Sequence, residues 1–270
     1  MERPRRASRL MGPFEATGRA VLRSIEVSGQ TILLAFRALR HVPAAPRKRR
    51  EIVTQMLICG VYSLPVALLV AAFSGMVLAL QVGVELTKWG QAERIGGLVA
   101  ASMCRELGPI WIGVILAARV GSAMAAELGT MRVSEEIDAL EVMSIDPAKF
   151  LVMPRVIALT VMAPILTAYA DLVGIIGGAV VGRYQLGVSY STYFRWAERT
   201  LTNRDIFSGL LIKAPIFGLT IAAVGCALGL AVKPSEGAEG VGHATRNSVV
   251  VALILLIVFN YVLTSLIRYL

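Results

Sequence analysis

A chain of 270 residues that is 56% hydrophobic and only 17% charged is too apolar for an ordinary soluble domain and reads as an integral membrane protein. Its net charge of +9 lies in residues 1–50, where 12 Lys/Arg oppose Glu2, Glu15 and Glu26, while the remaining 220 residues balance 15 basic against 15 acidic. Beside a hydrophobic span such a segment marks the cytoplasmic side and anionic lipid rather than nucleic acid, and three scattered cysteines with two histidines give no zinc site or disulfide framework.

In chain order, the first 13 residues read as disordered, and the first 20 are too rich in arginine for a cleavable signal peptide. From about Phe14 to Leu39, Leu22, Ile25, Ile32, Leu33, Phe36 and Leu39 recur at helical spacing opposite Arg19, Arg23, Glu26, Gln30 and Arg37. This predicts an amphipathic helix lying in the membrane interface. Residues 1–50 thus form a basic tail with an interfacial helix, and residues 51–270 a membrane domain. His41–Arg50 breaks the helix with two prolines and ends in four successive cations.

Five apolar stretches predict an all-α protein with spans at about 52–81, 95–126, 152–181, 206–232 and 248–270. The second carries Gly113, Ala117, Gly121, Ala125 and Gly129 every fourth residue, a close-packing stripe suited equally to a neighbouring helix or to a dimer seam. The third holds Asp171 and the repeat Gly174, Gly178, Gly182. Arg105 and Glu106 fall inside the second span, where a lone charge is costly. Neighbours on a helix diverge by about 100°, so at least one must face a polar cavity or a group on another helix.

Between the second and third spans, Glu127–Lys149 holds six acidic and two basic residues and cannot sit in lipid. Ser134 is predicted to cap a short helix over about 134–145, with Glu135 and Glu136 in its first turn and Asp146-Pro147 as its stop. Ile137, Leu140 and Met143 form its narrow apolar face, and Asp138 and Glu141 add to its negative charge. Such a segment suits a basic groove on a protein. Tyr184–Trp196 supplies an aromatic belt in the loop before the fourth span, and Lys233–Arg246 reads as a Gly-rich link before the fifth. No phosphate-binding loop, nucleophile–base arrangement or metal cluster is present, so the chain reads as non-catalytic.

The runs SGMVLALQ (Ser74–Gln81), RELGPI (Arg105–Ile110), AARVGSAMAAELGTMRVSEEIDALEVMSIDP (Ala117–Pro147) and FNYVLTSL (Phe259–Leu266) resemble the MlaE/YrbE permeases, membrane subunits of MCE-associated lipid ABC transporters. The resemblance implies a homodimer in the bacterial inner membrane with a cytoplasmic N-terminus, and a role in phospholipid transport and outer-membrane asymmetry. It implies separate ATPase subunits that carry ATP and magnesium, so that this chain binds no cofactor, and that receive the acidic helix as a coupling helix. It further implies an MCE-domain hexamer on the outer side and a STAS-type protein on the ATPases. The lipid pocket is expected at Ser74, Val77, Leu78, Gln81, Arg105 and Glu106. Relatives often carry an acidic residue where this chain has Asn260, and a threonine at Arg246. The competing reading is a proton-coupled carrier or channel using Glu106 and Asp171.

Overall fold

The computed structural model describes residue 29 and residues 31–269, and all regular structure among them is helical. Most of the predicted interfacial helix therefore lies outside the described residues. Its last turns, α1 (residues 31–40), are helical, with Ile32, Leu33 and Phe36 exposed. A 3₁₀ segment, Val42–Lys48, follows at the prolines.

Five helical stretches are long and apolar enough to cross a membrane: Ala45–Lys88, Ala92–Val133, Ala148–Tyr184, Asn203–Leu230 and Pro234–Ile267. The first contains α2 (Arg49–Cys59) and α3 (Leu64–Lys88), parted at Gly60 and Pro65. The second is α4 (Ile95–Ser102), α5 (Gly108–Leu116) and α6 (Ser122–Val133), joined by π-helical turns at Met103–Leu107 and Ala117–Gly121. The short α7 (Glu136–Val142) follows, then a π turn at Ala148–Val152 that opens α8 (Met153–Tyr184). Next come α9 (Tyr190–Thr200), α10 (Asn203–Phe207), a π turn at Ser208–Lys213, α11 (Ala214–Leu230) and α12 (Gly237–Tyr269).

Three of the π turns share a cause. Pro109, Pro154 and Pro215 each stand two residues past one. Proline has no N–H to donate, and its ring collides with the carbonyl four residues back, so the chain widens by one residue instead of breaking. The turn at Ala117–Gly121 has no such proline; there the single proton of the Ser122 hydroxyl goes to the carbonyl of Ala118 or of Arg119.

Small residues set the helix spacing. A Cβ on Gly75 would fall 1.9 Å from the Gly174 carbonyl oxygen, and one on Gly177 would fall 2.6 Å from that of Ala72, so α3 and α8 touch backbone to backbone. The predicted stripe on the second span is filled from within the chain. Gly113 faces Leu256 and Phe217, Gly121 faces Ile221, Gly129 faces Val232 and Val241, and Gly229 lies on Ala125. The neighbours shown for these positions are helices of the same chain.

Other expectations need correction. Ser134 does not open α7. It ends α6, its hydroxyl bonded to the Thr130 carbonyl at 3.0 Å, and Glu135 enters α7 in the left-handed region at φ +59°. The helix is shorter than 134–145 because Ser144 is also left-handed, at φ +60°. The stretch read as an aromatic belt is mostly helix, since the Ser189 hydroxyl accepts from the Thr192 N–H at 3.2 Å and caps α9. The link Lys233–Arg246 is largely the first turns of α12, anchored where Val241 packs on Gly129.

Both ends of the bundle can be identified by contact. His41 Nε2 lies 3.2 Å from Asp146 Oδ2, and the Lys48 ammonium stands 3.6 Å over the Phe150 ring. The basic segment and the acidic loop after α6 therefore share one end. Trp89, α9 and the end of α12 occupy the other.

Candidate functional site

The π turn at Met103–Leu107 carries both charges singled out above. Because Pro109 cannot donate to it, the Arg105 carbonyl is free, and it accepts from Lys213 Nζ at 2.8 Å. Lys213 is 2% exposed and sits at the end of the π turn before Pro215. Its other two N–H bonds go to Glu106 Oε1 at 2.7 Å and Thr264 Oγ1 at 2.8 Å, so the ammonium is fully satisfied. Asn260 Nδ2 holds Glu106 Oε2 at 2.9 Å. The Thr264 hydroxyl has one proton to give, to Glu106 Oε1 at 2.9 Å or to the Asn260 carbonyl at 2.7 Å.

Arg105 turns the other way. Its Nε and Nη2 donate to Asp205 Oδ1 and Oδ2 at 2.7 and 2.9 Å, a planar two-point pair. Asp205 is positioned by the capping box of α10, where it also accepts from the Thr202 N–H at 3.0 Å. The second, fourth and fifth spans thus meet in a cluster of two cations and two carboxylates, neutral overall. The Arg105 side chain is 50% exposed and Asp205 12%. Two of the five guanidinium N–H groups are engaged with Asp205, and the rest remain open to a ligand oxygen.

Lys213, Asp205 and Thr264 were missed in the sequence. A lysine inside an apolar span is a signal in its own right, but nothing in spacing pairs residues 100 or more positions apart. Asp171 is elsewhere in character. It is 4% exposed, neither carboxyl oxygen has a hydrogen-bond partner, and a Cβ on Gly108 would fall 1.7 Å from its Oδ1. It packs beneath the π turn without joining the network.

Ser74, Val77, Leu78 and Gln81 lie on α3 outside that network. Ala67, Ala71, Gly75, Ala79 and Gly83 form the buried face of α3, while Val77 and Gln81 lie on its open side. Gln81 lines an open groove of about 410 Å³ with Val82, Glu85, Leu86 and Trp89. At the opposite end, Ile137 on α7 is 1% exposed, so it anchors the helix to its own bundle. Leu140 is partly buried beside it, whereas Glu135, Glu136, Glu141, Val142 and Met143 project outward. The Asp138 carboxylate is held by Arg132.

The family described as Permease MlaE matches residues 52–266. A probable ABC transporter permease protein of Rickettsia bellii is 38% identical over 257 residues, 95% of this chain and 98% of the relative. The intermembrane phospholipid transport system permease protein MlaE of Haemophilus influenzae is 32% identical over 253 residues, 93% of this chain and 96% of its own. The chloroplastic protein TRIGALACTOSYLDIACYLGLYCEROL 1 of Arabidopsis thaliana is 36% identical over 239 residues, 88% of this chain and 65% of that protein. With the match running from the first span to the last, this chain is a multi-pass membrane protein of the MlaE permease family.

Proposed function

We propose that the protein is the permease subunit of an ATP-driven phospholipid transporter of a bacterial inner membrane. The observation that carries this reading is the half-open Arg105, pre-oriented by Asp205 within an otherwise apolar bundle. A phospholipid presents one phosphate and two acyl tails, so its carrier needs a greasy wall with few fixed cations. Glu106, locked by Lys213, Asn260 and Thr264, holds the π turn that aims Arg105. Ser74, Val77, Leu78 and Gln81 would contribute the apolar wall and its outer rim.

The end that carries the basic segment and α7 is then cytoplasmic, following the positive-inside bias. There α7 would dock on a separate ATPase, offering Glu136, Glu141 and the exposed Val142 and Met143. ATP and magnesium belong to that subunit, and this chain needs no cofactor. A second copy, an MCE-domain hexamer at the outer end and a STAS-type protein on the ATPases complete the assembly. The proton-carrier alternative gains no support, because both Glu106 oxygens are occupied and no hydrogen bond links Glu106 to Asp171.

The test is ATP-dependent transfer of labelled phospholipid by the reconstituted complex. Arg105→Ala and Glu106→Gln are expected to slow transfer at least tenfold while the ATPase still co-purifies. Wild-type transfer by both variants would remove the cluster from the mechanism, and proton-driven transfer without ATPase would remove the whole reading.

A further inference from the structure

Arg119 is a charge with no side-chain partner among the described residues. It is exposed, forms no ion pair, and occupies the centre of the π turn Ala117–Gly121, as Arg105 occupies the centre of Met103–Leu107. Contacts of Gly113 with Leu256 and of Gly129 with Val241 bracket its depth. On a helical rise of about 1.5 Å per residue they set Arg119 beside roughly residue 250 of α12. That level lies within the charge-free run Asn247–Ile267. Isolated arginine at such a position is costly and calls for an anion.

The described residues do not supply one. Among the described residues, Glu106 and Asp205 are bound to Lys213 and Arg105, Glu127 is bound to Arg155 at 2.9 Å, and Asp171 is buried. A second copy would bring these same four carboxylates, engaged or buried in the same way. Between the two arginines the helix leaves an apolar stripe partly open, with Ile110, Trp111, Val114, Ile115 and Ala118 on it. Fourteen residues separate Arg105 from Arg119, about 21 Å along the helix, against a hydrocarbon core of about 30 Å. One cation thus stands toward each end of a greasy wall.

We infer that Arg119 is a second phosphate-binding position for phospholipid, on the half of the bilayer nearer α7, so that one helix offers a headgroup anchor in each leaflet. The inference rests on the phospholipid reading above. It adds a station that the Arg105 cluster does not provide.

Site-specific photo-crosslinking to radiolabelled phospholipid in cells tests it, with benzoylphenylalanine in place of Ala118, Val77 or Ile254. The Ala118 position is expected to capture phospholipid, at least fivefold less with Arg119→Gln and close to wild type with Arg119→Lys. Ile254, exposed on α12, samples bulk lipid and should not respond to either change. An Ala118 adduct indifferent to Arg119→Gln, or one formed with a second copy of the chain, would overturn the inference. Because Val77 belongs to the apolar wall proposed above, absence of a phospholipid adduct there in the otherwise unaltered protein would sink the broader reading instead. Should Arg119→Gln fail to accumulate, the Arg119→Lys variant, with charge kept and the fork lost, still decides: a fall to the Ile254 background overturns an ionic site.

Discussion

Lys213 is the residue whose removal should do most harm. Replacing it with methionine keeps most of the volume but strands Glu106 and frees the Arg105 carbonyl, two losses in one step. Breaking one side of a buried pair costs about 3–5 kcal/mol. Lys213→Met is therefore expected to lower the unfolding midpoint in detergent sharply. Glu106→Gln should cost less, since the amide oxygen can still accept from Lys213 and Thr264 and only the bond from Asn260 is lost. The double variant Lys213→Met/Glu106→Gln should recover part of the loss, because no charge is left unpaired. A strictly additive double-mutant cycle would show that the two groups are not coupled. The sequence exposed half of this arrangement. Arg105 and Glu106 stood out as charges needing partners, and Asn260 as a departure from its relatives. Their assembly depended on three spans meeting, which no local pattern encodes.

Helix geometry tells the same story one level up. Five apolar runs and a short acidic helix were legible because length and charge decide them. The π turns were not, although Pro109, Pro154 and Pro215 mark their positions in the sequence, because a proline in an apolar run signals a kink without saying how the freed carbonyl is satisfied. At Pro109 the answer is Lys213. Pro109→Ala restores an N–H that competes for the Arg105 carbonyl, so the variant should fold at near wild-type stability and transfer lipid more slowly. Equal transfer would mean that the π turn is only a packing device. The small-residue faces make a sharper stability prediction. Gly75→Ala drives a methyl into the Gly174 carbonyl and should cost about 1–3 kcal/mol by overpacking. Gly242→Ala, with nothing within 4 Å, should stabilise α12 by up to about 1 kcal/mol through helix propensity. Denaturant titration in detergent separates the two by sign. On the far side of the bundle, Tyr193 locks α9 to α8 by donating to the Ile175 carbonyl at 3.2 Å, and burial pushes its phenol upward, so this clasp holds at any physiological pH.

Across the whole molecule, the proposed transporter must carry energy released on one side of the membrane to a lipid site nearer the other, and the fold offers a rigid route. α7 is fixed to the bundle by Ile137, whose burial contributes about 1.5–3 kcal/mol. It is entered through left-handed Glu135 and left through left-handed Ser144, conformations that persist only when the surroundings enforce them. Asp146 then ties the exit to His41 and caps the π turn by accepting the Ala148 N–H at 2.9 Å. In the proposed assembly a push on α7 would be delivered both to α8 and to the segment that leads from α1. All of this requires α7 to face the cytoplasm. The native thiols Cys59, Cys104 and Cys226 are buried, so a cysteine introduced at the surface reports alone. Val142 is 86% exposed and Trp89 is 78% exposed at opposite ends of the bundle. In cells with a permeabilised outer membrane, Trp89→Cys should react with a membrane-impermeant maleimide, whereas Val142→Cys should react only after the inner membrane is lysed. Val142→Cys should then be shielded once the ATPase is bound. Labelling of Val142→Cys in intact spheroplasts would place the acidic helix on the outer side, where no nucleotide-driven subunit can reach it.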